Sequence, residues 1–547
     1  MKTALQITIL MIAGLFAAQT YAQDLGYFVT FTDKAGTPYD VNKPEQFLSS
    51  RAIARRQKQN IPVTERDLPV SPVYTDSLKE LGLKIKHTTK WFNGCIVFTS
   101  DTALMDTLIN YGFVSFVETT YKPVSNKSAK QQDRVFAAKK SAKLNDEIYG
   151  NAYDQINTVN GIALHNKGYM GDGMIIAIID AGFYGVDNLP AFTHLWNENR
   201  ILGTKDFVNP NSNIFNEHTH GMKVLSIIGG KIDGTYLGTA PGASFYLLRT
   251  EDVHSEYPIE ADYWICAAEF ADSAGVDVIN TSLGYSVFDD NSMSYSYSQL
   301  DGSSIRISKA ASIAAAAGMV VVVSAGNEGA KTWHYISAPA DAKNILTVGA
   351  MTADSTKANF SSFGPTADGR IKPDVTAMGV NVAVQNTGGG ISLGDGTSFS
   401  APVITGLAAC LWQSLSNMTS EEITKVITES CNNYDSPDNN MGFGIPDFKT
   451  AQATSVSAGV ELQDMWDVYP NPFRDNIVIS NKTGYSENDI EVSLYDIVGR
   501  LKYKEIIPAG NPKNYIKIPS YLSGGLYILQ IKDGDSTASY KMMKQDF

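Results

Sequence analysis

The stretch Met174-Ile175-Ile176-Ala177-Ile178-Ile179-Asp180-Ala181-Gly182 places six apolar residues in a row and ends on a carboxylate and a glycine. A strand with one wet face alternates polar and apolar residues. A strand apolar at every position is covered on both faces, which is the condition of a parallel sheet with helices above and below it. Val224 to Ile228, Phe245 to Leu248, Val276 to Ile279, Val320 to Val323 and Ile345 to Val348 repeat the pattern with helical stretches between them. The expected class is therefore α/β with a parallel sheet. The Val224 to Ile228 run also lies within Met222 to Gly230, which reads equally as a helix whose small residues permit close packing. In such sheets ligand sites gather at the carboxyl ends of the strands, where Asp180 stands.

Outward from this region, about residues 149–455, the pattern changes on both sides. Gly26 to Lys122 mixes short strands (Gly26 to Thr32, Cys95 to Thr99) with helical stretches (Pro44 to Lys58, Thr102 to Tyr111) and reads as a small α+β unit. From Lys122 to Lys143 the chain carries Lys122, Lys127, Lys130, Arg134, Lys139, Lys140 and Lys143 against one acid, Asp133, as expected of an exposed, protease-sensitive linker. Ala451 to Gly459 reads as a second linker. Beyond it, alternating strands such as Ile490 to Leu494 and Tyr527 to Ile531, with turn signals at Gly484, Gly510 and Gly524-Gly525, read as a β-sandwich over 460–547. At the other end Lys2, the apolar run Ile7 to Ala18 and Thr20-Tyr21-Ala22 form a signal peptide over 1–22, so the chain is exported. The 547 residues thus divide into a signal, a 23–148 segment with a basic linker, a 149–455 domain and the C-terminal unit.

The net charge of -13 disfavours nucleic acid and anionic membrane surface as partners. Ala310 to Val323, the longest later apolar stretch, is interrupted by Ser312 and Gly318, so no membrane span is expected after signal removal. Four cysteines make no disulfide framework, and whether Cys410 and Cys431 pair is open from spacing.

Five polar motifs sit where strands end or helices begin. Asp180 closes the opening stretch, and His220 lies in Glu217-His218-Thr219-His220-Gly221 before a helical pattern. Ser398, in Gly396-Thr397-Ser398-Phe399-Ser400-Ala401-Pro402, falls in the first turn of a helix through Leu415, where backbone N–H groups and the positive helix end favour developing negative charge. Asn327 follows Val320 to Val323 and Ser324-Ala325-Gly326, and a side-chain amide there donates to an oxyanion without titrating. Ser282-Leu283-Gly284, after Val278-Ile279-Asn280-Thr281, offers an edge for an extended peptide. Each motif alone has an ordinary structural role: a turn Asp, a surface His, a helix-capping Ser, a turn Asn.

Together they resemble the subtilisin family of serine peptidases, whose triad runs Asp, His, Ser along the chain. The resemblance covers Tyr149 to about Thr450, and Leu164 to Gly171 is similar to the family's entry into its first core strand. It implies a subtilisin-like sheet and a serine endopeptidase in which Ser398 is nucleophile, His220 base then acid, Asp180 its orienter and Asn327 the oxyanion donor. It also implies that Ser282, Leu283, Gly284 and Ser324, Ala325, Gly326 are backbone edges for substrate, and that a protein or peptide is the substrate. His220 is preferred to His218 because the family's His-Gly pattern fits His220-Gly221 with Val224 following. Ala181, Met222-Lys223 and Phe399-Ser400 depart from common family residues without removing a reacting group.

By position and size the segment from Gly26 resembles the inhibitory propeptide of these enzymes, implying a zymogen with its own propeptide as partner. Cys95 would leave with it. Val468-Tyr469-Pro470-Asn471-Pro472-Phe473, Leu494-Tyr495-Asp496 before Gly499-Arg500, Gly525-Leu526-Tyr527 and Lys541 to Lys544 resemble a type IX secretion sorting domain, implying secretion machinery as a partner and a secreted or surface destination reached through the periplasm. The chemistry needs no cofactor. Structural calcium is common in the family, yet no acidic cluster identifies ligands, and metal residues stay unknown. Two alternatives stand beside this reading: a metal-dependent hydrolase using His218, His220 and Asp180, and a non-catalytic surface adhesin on a peptidase fold.

Overall fold

Alternate residues of the central strands point into two different apolar clusters. Ile176, Ile178, Val320 and Val322 join Leu225, Phe399 and Leu407 on one face of the sheet. Ala177, Ile179, Val321 and Val323 join Trp264, Ile265 and Ala311 on the other. That two-sided burial is why these strands lack alternation in sequence. The computed structural model describes residues 24–123, 134–137, 148–459 and 466–545, apart from 483, 485, 487, 497, 498 and 535. The expected signal peptide and most of the basic stretch after Pro123 lie outside the described residues.

In chain order the strands are β1 (Leu25–Phe31), β2 (Lys84–Thr89), β3 (Gly94–Thr99), β4 (Val114–Tyr121), β5 (Arg134–Ala137), β6 (Ile175–Asp180), β7 (Ile201–Asp206), β8 (Lys231–Ile232), β9 (Tyr236–Leu237), β10 (Ser244–Arg249), β11 (Val278–Thr281), β12 (Val320–Ser324), β13 (Leu346–Met351), β14 (Val375–Met378), β15 (Val382–Gln385) and β16 (Ile391–Asp395). The C-terminal unit adds β17 (Trp466–Tyr469), β18 (Asn476–Asn481), β19 (Ile490–Asp496), β20 (Leu501–Ile507), β21 (Lys513–Lys517), β22 (Gly525–Asp533) and β23 (Ser536–Lys544). The central sheet has the order β14-β13-β12-β11-β6-β10-β7, and every pair in it is parallel.

Three local expectations are corrected. Val224 to Ile228 belongs to the helix His220–Gly229 and not to a strand. That helix is buried all round except at Lys223 and His220, so its 3.6-residue period is invisible in the sequence. Ala451 to Gly459 continues the helix Phe448–Gly459 where a linker was expected. Within the basic stretch, Arg134–Ala137 is a strand.

The N-terminal unit is an antiparallel sheet of order β2-β3-β1-β4. One face builds its own core from Tyr27, Val29, Val97 and Leu108. From the other face Phe28, Trp91 and Ile96 enter the same cluster as Trp264 and Ile265 of the helix Pro258–Ala274. Charges frame this contact: Asp272 on that helix, fully buried, meets Arg55 at 2.5 Å, Lys90 at 2.8 Å and Arg56 at 3.1 Å. The C-terminal unit packs a three-stranded sheet (β17-β18-β21) on a four-stranded one (β20-β19-β22-β23), all pairs antiparallel, around Trp466, Phe473, Ile479 and Leu529. All four cysteines are free and buried, and among the described residues no helix is long and apolar enough to cross a membrane.

Candidate active site

Asp180 is the last residue of β6, an interior strand held between β10 and β11. Its backbone is fixed by register with Arg249 and by Thr250 N–H donating to its carbonyl at 3.0 Å. The side chain is wholly buried, and Oδ1 accepts from Ala181 N–H at 2.7 Å and from His220 Nδ1 at 2.7 Å. A carboxylate oxygen only accepts, so Nδ1 carries the proton and Nε2 is left as the acceptor.

His220 opens the helix His220–Gly229, which packs against β6 closely enough that residue 221 must be glycine. A Cβ there would fall 2.6 Å from the Gly182 carbonyl and 2.9 Å from Asp180 Cβ. Two rings lie near parallel to the imidazole, Phe399 with centroids 6.1 Å apart and His218 at 6.4 Å. Phe399, a departure from the usual family residue, thus sets a flat ring beside the imidazole. His218 lines the same cleft, and its Nδ1 accepts the His220 backbone N–H at 3.3 Å.

Ser398 is in the first turn of the helix Thr397–Ser414. Its Oγ donates to the Ser282 carbonyl at 3.3 Å. Four residues on stands Pro402, which has no N–H to give the Ser398 carbonyl its helical bond. Ser282 Oγ supplies that bond instead, at 3.0 Å, tying the helix start to the end of β11.

Asn327 is oriented by Thr397. The Thr397 backbone N–H donates to Asn327 Oδ1 at 2.9 Å, and the Thr397 hydroxyl does so at 3.0 Å. A backbone N–H can only donate, so the atom facing it is the amide oxygen, which turns the amide N–H groups the other way, into the cleft that Asn327 lines. Thr397 Oγ1 also accepts from Gly326 N–H at 3.1 Å.

These groups share one cleft of about 450 Å³, lined by His220, Ser398, Asn327, Ser282, Leu283, Gly284, Ser324 and Gly326 among others. Of the expected substrate-binding residues, Ala325 does not line it: the residue is buried, its N–H donates to Val348 and its carbonyl accepts from Ser337. Ser337 fills the gap between the two edges, since a Cβ on Gly284 would meet its Cβ at 2.9 Å and one on Gly326 its Oγ at 3.2 Å.

Four supporting residues carried no sequence signal of their own. Thr397 was visible only as a neighbour of Ser398. Buried Arg249 donates to the Ala181 carbonyl at 3.2 Å and pairs with Asp206 at 2.8 Å and Glu217 at 3.4 Å, bracing the loops on both sides of the Asp–His pair. Glu251 and Glu256 bring two carboxyl groups to the lining of the cleft. With Glu260 they are the described His, Cys, Asp and Glu side chains close enough to share one ion, their ligand atoms lying within 4.8 Å of one another.

Fold and site together define a peptidase-type parallel sheet with an Asp–His pair at a strand end and a serine at a helix start. Sequence comparison supplies the family: residues 171–444 match the Subtilase family, and the chain belongs to it. Residues 26–135 match the Peptidase S8 propeptide domain of Bacteroidota. Residues 467–545 match the Secretion system C-terminal sorting domain, which indicates export to the cell surface or beyond. Similar proteins include serine protease AprX of Bacillus subtilis, 27% identical over 301 residues (50% of this chain, 64% of AprX), and subtilisin E of the same species, 29% identical over 259 residues (47% and 60%). The thermostable alkaline protease of Halalkalibacterium halodurans is 26% identical over 283 residues (52% and 68%). The chain therefore spans roughly two thirds or less of these relatives' own length. Among solved structures, MycP1 from Mycobacterium smegmatis is similar with a TM-score of 0.46 at 21% identity, over 60% of this chain and 92% of that one.

Proposed function

We propose that this chain is an exported serine endopeptidase made as a zymogen, hydrolysing peptide bonds through Ser398, His220 and Asp180. The observation that carries the reading is the Asp180 Oδ1 to His220 Nδ1 contact of 2.7 Å in the cleft that Ser398 and Asn327 also line. His220 Nε2 takes the Ser398 Oγ proton as Oγ attacks the scissile carbonyl, and the imidazolium then delivers it to the leaving amine. Water repeats the cycle on the acyl-enzyme. Asp180 fixes the tautomer and stabilises the imidazolium. The oxyanion formed at each attack takes its hydrogen bond from the Asn327 amide, held in place by Thr397.

An extended peptide is proposed to lie along Ser282-Leu283-Gly284 and the Ser324 and Gly326 edge, with Ser337 as the floor between them. The chemistry uses groups of the chain alone, and no set of described oxygen atoms is assigned to calcium. The N-terminal β1–β4 unit is proposed as the inhibitory partner and the C-terminal unit as the address read by a type IX secretion machinery. Hydrolysis of a chromogenic peptide, blocked by a serine-directed inhibitor and indifferent to a chelator, is the expected result. Chelator-sensitive activity would favour the metal-dependent alternative, and a folded, inert protein the adhesin.

A further inference from the structure

The hairpin β15–β16 runs directly into the Ser398 helix, with Asp395 three residues before the serine. Its outer edge is covered. β5 pairs antiparallel with β16 in four registered pairs: Ser392 with Ala137, Leu393 with Phe136, Gly394 with Val135 and Asp395 with Arg134. Together the three strands make a sheet of order β15-β16-β5. Without β5, β16 would present a bare row of backbone donors and acceptors next to the active site.

A second observation ties this strand to the peptidase domain rather than to the N-terminal unit. When the described chain resumes after Ala137, Tyr149 is buried in one small apolar cluster with Ile156, Tyr236, Leu237 and Ala383, against which Ile391 and Leu393 of β16 pack. Gly150 bridges to Tyr236, and Asn151 N–H donates to the Thr235 carbonyl. Eleven residues, 138–148, separate the strand from this anchor, a tether short enough to hold the strand at millimolar effective concentration. On the other side the N-terminal unit makes its last ring contact at Tyr121, whose ring meets Tyr257 at 4.9 Å, beside the cleft-lining Glu256.

We propose that Arg134–Ala137 is the first strand of the mature enzyme: maturation cuts N-terminal to Arg134, and the strand remains as the edge of the hairpin that leads into Ser398. The cut hydrolyses one peptide bond with one water, and the new amino terminus stays with the peptidase domain. A cut among residues 138–148 would instead tether the strand to the departing propeptide and leave β16 open. The inference rests on the peptidase reading only for the agent of the cut.

The test is the amino terminus of the enzyme matured from the full chain, read by N-terminal sequencing and intact mass. A terminus at Arg134 or upstream of it is expected. One at Val135 or beyond overturns the proposal. The Ser398→Ala precursor, cut in trans by wild-type enzyme, should give the same terminus; if it instead processes itself, the Ser398 reading fails while the position of the cut is still measured. A second variant, Val135→Pro with Phe136→Pro, removes the N–H donors of two successive residues, one of which faces β16 whichever way the ladder alternates. Amide exchange in Ser392–Asp395 of the matured variant should quicken by about 10-fold or more against the matured wild type. Equal exchange would show that the strand does not hold the hairpin.

Discussion

Replacing Asp272 by Asn should release the propeptide from the enzyme without harming the enzyme itself. Asp272 is wholly buried against Arg55, Arg56 and Lys90. Burial opposes its charge, but Lys90, Arg56 and Arg55 outweigh that and pull its pKa down to about 2. The carboxylate is therefore charged at any working pH, and its loss leaves cations buried in the interface. Arg56 retains Asp67 at 2.9 Å, so the cost falls on Arg55 and Lys90. Breaking a buried pair costs about 3–5 kcal/mol, and with one cation still compensated the lower figure applies. About 3 kcal/mol is roughly 10²-fold in affinity. The assay titrates propeptide-free mature enzyme, wild type and Asp272→Asn, with the propeptide and follows hydrolysis of a small peptide. The inhibition constant should rise by about 10²-fold while kcat/KM and the melting temperature of the free enzyme stay put. A rise below about 3-fold would refute the claim that this ion cluster holds the complex.

Asn327→Ala should lower kcat by roughly 10²- to 10³-fold with little change in KM, because the amide meets charge that exists only after attack; an effect confined to KM would reassign it to substrate binding. His87 of β2 lies in the propeptide interface, Nε2 facing the Phe207 carbonyl at 2.7 Å, and burial pushes its pKa down to about 4. Because the bound form resists a proton that the free propeptide accepts near pH ~6.5, acid favours release: binding is fully present above that pH and is lost as pH falls toward 4. Between pH 7 and 5 wild-type propeptide should therefore lose on the order of 10-fold more affinity than His87→Gln, and parallel pH curves would sink the assignment. Deleting residues after about Gly459 should leave kcat/KM of the soluble enzyme nearly unchanged while abolishing its export in a host with type IX secretion; normal export of the truncated chain would remove the sorting role.

The parallel sheet was legible because strands buried on both faces write themselves as unbroken apolar runs, from Ile175 to Ile179 and from Val320 to Val323. The same property hid the helix His220–Gly229, where burial on every side erases the period that marks a surface helix. Asp180, His220, Asn327 and Ser398 were legible as residue types at element ends. What joins them was not: that Thr397 fixes the Asn327 amide, that Pro402 leaves the Ser398 carbonyl to Ser282, or that Phe399 lies beside the imidazole depends on contacts between segments up to 179 positions apart. β5 escaped notice because four residues of strand sit in a stretch whose charge reads as linker, and only its pairing with β16 distinguishes it.

Labelling with a serine-directed phosphonate, located by peptide mass spectrometry, tests the central claim most directly. One adduct per molecule on Ser398, forming in step with loss of peptidase activity and absent from His220→Ala, is the predicted result. Full inactivation with the adduct on another residue, or peptidase activity that survives complete modification of Ser398, would contradict it.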